Sequence, residues 1–271
     1  MRRRPKRGRV RGWLATLAPR RKGRTWLARL ATPVRAWLRS LSWPLRWAVI
    51  AFGGVLAAVF ALHLWYFAHI VWWNWFDPSM TRFMDQQLAS LREKNPAAKL
   101  TQRWVPYERI SPHLKRAVLA GEDARFADHE GVDWEAIERA WDQNRKRGKV
   151  VRGGSTITMQ LAKNLFLSGE RSYLRKGQEL MITYMLEAVM SKRRILEIYL
   201  NVAEWGIGVF GCEAAALRYH GVPAAQLQPW QAARMAAMLP RPRYFDLNRN
   251  APGLERRAAF IERHMFGVQL P

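Results

Sequence analysis

Trp47 to Phe67 reads WAVIAFGGVLAAVFALHLWYF, 21 residues in which His63 is the only strongly polar side chain. A helix needs about 20 mainly apolar residues to cross the hydrocarbon core of a bilayer, so this run constrains everything around it. Fifteen of the 45 Lys and Arg lie in residues 1–46, the first acid is Asp77, and no Lys or Arg follows the apolar run until Arg82. That asymmetry predicts an uncleaved single-pass anchor with a cytoplasmic amino terminus. Trp43 and Trp47 mark one interface, and the aromatics of WYFAHIVWWNWF mark the other. A cleaved signal peptide has a short basic region and a small-residue cleavage motif. Here the basic region is long, and bulky Trp and Phe follow the apolar run. A buried core helix would leave the charge asymmetry without a cause.

Upstream, Trp26, Leu27, Leu30, Val34, Trp37, Leu38 and Leu41 recur at helical spacing with arginines between them and Pro33 as a kink. Two readings stay open: a basic amphipathic helix lying on an anionic leaflet, or a solvated basic tail. The formal charge of +24 is concentrated here, since the chain after residue 46 carries 30 basic against 21 acidic side chains. A charge excess beside a membrane span argues against a nucleic-acid partner. Cys212 is the only cysteine, which excludes an intrachain disulfide and a cysteine-rich zinc site. In GVFGCEAAAL it reads as a small buried apolar side chain. The sequence thus divides into a basic cytoplasmic tail (1–46), a transmembrane helix (47–67), a membrane-proximal region (68–100) and a folded domain (101–271).

The folded domain should be mainly α. It shows no long alternating strand pattern and no repeat, whereas helix start and stop signals recur. Ser111-Pro112 can open HLKRAVLAGED; Asp133 can cap WEAIERAWDQNRK, which stops at Gly148; Ser172 can cap YLRKGQELMITYMLEAVM. SKRRILEIYLNVAEW, QLQPWQAARMAAML and GLERRAAFIERHMF supply further helices.

Three stretches carry candidate chemistry. In EDARFADHEGVD, Glu122 and Asp123 end an apolar-periodic helix just before an irregular segment, a common site for working carboxylates. Adjacent acids also commonly decorate a solvated helix end. In RGGSTITMQLAKN, two glycines precede hydroxyls at a helix start, a natural anion site, with Gln160, Lys163 and Asn164 one turn along the same face. A capped helix with a polar face is the plainer reading, and the spacing is not that of a P-loop. In RSYLRKGQEL, Arg175 and Lys176 share a helix face with Glu179, which alone could be salt-bridge decoration. Taken together, two carboxylates on separate helices flanking a cationic pocket suit glycosyl transfer away from a diphosphate.

EDARFADHEGVD, GGSTITMQLAKN, RKGQE and SKRRILEIYLN resemble, in order and spacing, the signature motifs of the peptidoglycan glycosyltransferase family. The resemblance covers roughly residues 100–245, and LNVAEWGIGVFGCEAAALRYHG extends it. It implies a lysozyme-like glycosyltransferase domain behind a single transmembrane helix, polymerising lipid II into glycan strands on the periplasmic side of the bacterial inner membrane. Carried over, Glu122 matches the general base, acting on the 4-hydroxyl of the acceptor N-acetylglucosamine. Attack at C1 of the donor N-acetylmuramic acid inverts it to a β-1,4 bond and expels undecaprenyl diphosphate. Glu179 matches a second acid that assists at the donor side or holds a divalent cation, Mg2+ or Mn2+; no tightly bound cofactor is implied. Lys163, Arg171, Arg175 and Lys176 would neutralise the diphosphate. Ser155, Thr156, Gln160 and Asn164 would line the donor site, and Asp123, Phe126 and His129 would support the loop that carries Glu122.

Met159 stands where the family commonly has a second Gln, and His220 where it has Phe. The sequence contains no Ser-x-x-Lys and no Lys-Thr-Gly, so polymerisation without cross-linking is expected. The implied partners are lipid II, the growing glycan and the membrane, with cell-wall synthesis or division proteins as further candidates. A lysozyme-like hydrolase or lytic enzyme would use Glu122 as an acid, but it has no need of a diphosphate site. A non-catalytic anchor for wall proteins would tolerate loss of Glu122.

Overall fold

The computed structural model describes residues 33, 36–148, 153–169 and 172–271. The chain divides between Ala61 and Leu62 into two compact units. In the first, residues 36–40 are helical, and most of the stretch read as an amphipathic helix or basic tail lies outside the described residues. Helix α1 (Trp43–Trp73) runs through the predicted span and beyond it at both ends. Its best window has a mean hydropathy of 2.1 and none of it is buried, so it is long and apolar enough to cross a membrane.

Among the described residues the second unit contains ten more α-helices: α2 (Arg82–Lys94), α3 (Pro112–Glu122), α4 (Trp134–Arg147), α5 (Ile157–Phe166), α6 (Tyr173–Val189), α7 (Lys192–Val202), α8 (Cys212–His220), α9 (Pro229–Met238), α10 (Pro242–Leu247) and α11 (Pro252–His264). The expectation of a mainly α domain is met. Its caps are largely local and side-chain made. Ser111 accepts from the His113 amide at 3.2 Å, Asp133 from Ala136 at 2.8 Å, and Ser172 from Arg175 at 3.1 Å. Gly148 ends α4 in the left-handed conformation, with φ 61°.

A small sheet of β1 (Thr101–Gln102), β2 (Glu204–Gly206) and β3 (Val209–Phe210) has the order β1-β3-β2. β1 runs parallel to β3 with Thr101 opposite Val209, and β2 is antiparallel with an irregularity between Glu204 and Gly206. These strands are too short to show a period in the sequence.

Helix α7 is the central strut. Ile195, Leu196, Ile198, Tyr199, Leu200 and Val202 are all buried, and its polar face is confined to Lys192, Arg193, Arg194 and Glu197 in the first two turns. Each such apolar side chain contributes about 1.5–3 kcal/mol on burial, which resists any shift of α7. Helix α5 packs on α2, α6 and α7, while α9 packs on α3 and α11. The stretch from Tyr66 to Met84, which lies before residue 101, belongs to this packing. Ile70 and Met84 are core residues, and the Tyr66 and Trp73 rings lie 4.8 and 5.2 Å from Phe166.

Candidate active site

Helix α3 ends at Glu122, which lines a cleft of about 630 Å³. The Arg257 guanidinium, from α11, donates one Nη2 group to Glu122 Oε1 at 3.0 Å and to the Gly121 carbonyl at 2.7 Å. Gln160, from α5, donates Nε2 to Glu122 Oε2 at 2.9 Å. The Gln160 carbonyl in turn accepts from the Tyr199 hydroxyl at 2.9 Å. Burial raises the Glu122 carboxyl above its ordinary value; the Gln160 hydrogen bond and the Arg257 charge pull it back, and Asp123 adds to the rise. A carboxyl tuned this way retains enough proton affinity to accept from a hydroxyl while two donors favour its ionised form.

Asp123 has a different task. Its Oδ2 accepts from the Ile157 amide at 3.0 Å, at the start of α5, and its Oδ1 pairs with His129 Nε2 at 2.9 Å. A carboxylate at a helix amino terminus is favoured by the backbone dipoles there. Thr156 takes the Met159 amide at 3.2 Å and donates its hydroxyl to the Gly131 carbonyl at 2.5 Å. Two amides of the helix start that the sequence offered to a substrate anion are therefore held by the protein itself. Phe126 is fully buried, with its ring 6.3 Å from His129 and the Lys192 ammonium 4.5 Å above it. Gly131 has φ 86°, and a Cβ there would fall 2.7 Å from Thr183 Cγ2 and 2.8 Å from Glu187 Cγ, so only glycine lets this loop sit on α6.

A second cleft, of about 380 Å³, is lined by Lys163, Arg175, Lys176 and Glu179, with Phe83 and Gly169 beside them. Glu179 is buried on the inner face of α6. Its Oε2 receives Arg175 Nη1 at 2.7 Å and its Oε1 receives Lys176 Nζ at 2.5 Å. Lys176 also reaches Ser155 Oγ at 3.4 Å. Burial lowers the Lys163 ammonium below its ordinary value; Glu179 opposes this, while Arg175 and Lys176 reinforce it. Three cations around one acid leave the cleft positive, a setting that concentrates anions.

Ser155 and Gln160 line both clefts, which therefore adjoin. Asp123 and Thr156 also line the first. Phe126, His129 and Asn164 line neither: the first two back the loop, and Asn164 is buried on α5. Arg171 lies outside the described residues. Met159 and His220, the two departures from the expected pattern, also line neither cleft. Met159 is in the core, and His220 sets its ring 5.5 Å from Trp230.

Sequence reasoning missed Arg257 and Tyr199. Arg257 sits in a helix with several arginines, and Tyr199 in an apolar run, so neither stood out locally. The fit of a divalent cation at Glu179 is poor. Both carboxylate oxygens already hold cationic side chains, and among the described residues no three His, Cys, Asp or Glu gather as a metal site.

The family model described as Transglycosylase matches residues 86–266. The chain is 56% identical over 227 residues to the biosynthetic peptidoglycan transglycosylase of Laribacter hongkongensis (strain HLHK9), covering 84% of this chain and all of that one. It is 58% identical over 213 residues to the protein of the same name from Herminiimonas arsenicoxydans, covering 79% and 92%. For that of Bordetella pertussis (strain Tohama I / ATCC BAA-589 / NCTC 13251) the identity is 54% over 237 residues, covering 86% and 98%.

Proposed function

Because the chain belongs to the transglycosylase family and is a peptidoglycan glycosyltransferase, we propose that it polymerises lipid II, with Glu122 as the general base. The observation that carries this is the adjacency of the two clefts. A largely but not fully buried carboxyl lines one, three cations line the next, and Ser155 and Gln160 border both. Glycosyl transfer from a diphosphate needs that pairing: proton removal from the incoming hydroxyl on one side and charge stabilisation of the leaving group on the other.

In this reading Glu122 takes the proton of the acceptor's 4-hydroxyl. The oxygen attacks C1 of the donor muramyl residue from the face opposite the diphosphate, and the C1–O bond to the diphosphate breaks with inversion to a β-1,4 linkage. Lys163, Arg175 and Lys176 offset the charge released on the diphosphate. Glu179 holds Arg175 and Lys176 at fixed places, so little reorganisation is needed as that charge grows. Ser155 and Gln160 border donor and acceptor alike. No step is routed through a metal ion. Polymerisation without peptide cross-linking belongs to the same proposal.

Helix α1 supports placement in the bacterial cytoplasmic membrane as a single-pass anchor. The basic residues before it favour a cytoplasmic amino terminus, with the enzymatic domain outside. A lipid-linked substrate would then meet the domain at the surface where it is carried.

A hydrolytic reading would also use a carboxyl with raised proton affinity, so Glu122 alone does not separate the two. The cationic cleft does, because cleavage of a glycan releases no phosphate. The test is labelled lipid II given to detergent-solubilised protein, with products resolved on a gel beside Glu122→Gln. Glycan polymer from wild type and none from the variant is expected. Untouched lipid II together with shortening of preformed glycan would overturn the proposal.

A further inference from the structure

Glu122, Gln160 and Tyr199 form a directional chain across three helices. The Tyr199 hydroxyl donates to Gln160 Oε1 at 2.9 Å, and Gln160 Nε2 donates to Glu122 Oε2 at 2.9 Å. A glutamine side chain can turn over and exchange its oxygen for its nitrogen at little cost, unless its partners distinguish the ends. Here the ionised Glu122 carboxylate, which can only accept, makes that distinction, and the Tyr199 hydroxyl holds the opposite end of the amide. The Tyr199 ring is buried on α7. Burial, and the carboxylates of Glu122 and Asp123, push the phenol well above its ordinary value, with Arg257 opposing them, so it stays protonated and remains a donor. A donor at the Gln160 carbonyl holds the amide in the place where its nitrogen meets Glu122. The reversed amide would set oxygen against oxygen at Glu122, while the Tyr199 hydroxyl could still accept from the reversed nitrogen, so Glu122 sets the direction and Tyr199 secures the carbonyl end.

The geometry points to Tyr199 as a positioning residue that acts through Gln160: its hydroxyl anchors the amide carbonyl and so holds the amide nitrogen at hydrogen-bond distance from Glu122. This rests on the reading of Glu122 as the base. The other charged groups that bear on Glu122 are Arg257 on α11, Asp123 at the end of α3 and Lys163 on α5. None of them contacts Tyr199 or Gln160 by a hydrogen bond that would orient the amide, among the described residues.

The test is the pH dependence of lipid II polymerisation by the full chain, for Tyr199→Phe, Gln160→Ala, the double variant and Glu122→Gln. Tyr199→Phe removes one oxygen and keeps the ring in its place. Turnover should fall about tenfold, the scale of one hydrogen bond beside a charge, with KM little changed. The acidic limb should move to higher pH, because Gln160 is no longer held and polarised as the donor that favours the ionised form of Glu122. In the Gln160→Ala background, adding Tyr199→Phe should change nothing further. Replacing Tyr199 with 3-fluorotyrosine keeps the shape and strengthens the donor, and should move the limb the opposite way. An unmoved limb, or the same loss from Tyr199→Phe in both backgrounds, overturns the role. If Tyr199→Phe does not fold, the fluorotyrosine shift alone decides. A Glu122→Gln enzyme that still polymerises would instead remove the base assignment, and Tyr199's role with it.

Discussion

Arg257 and Glu122 meet at 3.0 Å although 135 positions separate them in the chain. The contact joins the last long helix to the end of α3, and the same guanidinium nitrogen also holds the Gly121 carbonyl. It is the one cationic partner hydrogen-bonded to the candidate base among the described residues, and it opposes the effect of burial on that carboxyl.

Arg257→Ala should therefore raise the proton affinity of Glu122. A base with raised affinity is protonated, and so inactive, up to a higher pH, and the acidic limb of kcat/KM should shift upward. Turnover near neutrality should fall at least about tenfold, as expected for removing a charge-assisted hydrogen bond from a buried carboxylate. Arg257→Lys keeps the charge and should recover part of the shift. Rates measured between mildly acidic and mildly basic pH would check both.

Lys163 titrates from the other direction. Its ammonium is lowered from an ordinary 10.5, so it loses its charge at a lower pH than a free lysine would. A diphosphate held by a neutral amine is held poorly, and the rate should decline on the alkaline side as that charge disappears. Lys163→Arg stays charged throughout and should move the alkaline limb upward, even if its peak rate is lower. Lys163→Met should cost about a hundredfold in kcat.

Glu122→Gln should separate activity from stability. The folded-state value of this carboxyl is raised above the ordinary 4.5, so between the two the unfolded chain releases its proton first. The ionised carboxylate is thus a cost to the fold, absent below the ordinary value and complete above the folded one. The variant should be inactive yet about 1 kcal/mol more stable at neutral pH, the usual scale for relieving a functional site. The gain should vanish when urea unfolding is repeated well below the ordinary carboxyl value.

Much of the fold could be read in advance because its signals are local. Ser111, Asp133 and Ser172 cap the helices they were expected to cap, since each needs only a side chain and the amides two or three residues on. The pairing of Arg175 and Lys176 with Glu179 was legible for the same reason: it lies within one helix turn. Arg257, Tyr199 and the adjacency of the clefts were not, because they depend on how α3, α5, α7 and α11 meet. The start of α5 shows a different failure. Its glycines and hydroxyls correctly marked amides in need of an acceptor, but nothing local revealed that Asp123, 34 positions earlier, supplies one.

Gln160 borders both clefts, faces the candidate base and accepts from Tyr199. Met159, its neighbour in the chain, points into the core and does none of these things. For descent with modification the two positions are opposites. A change at Met159 needs only a side chain of similar volume, so it can drift. A change at Gln160 alters acceptor and donor surroundings in one step, and no single compensating substitution repairs both.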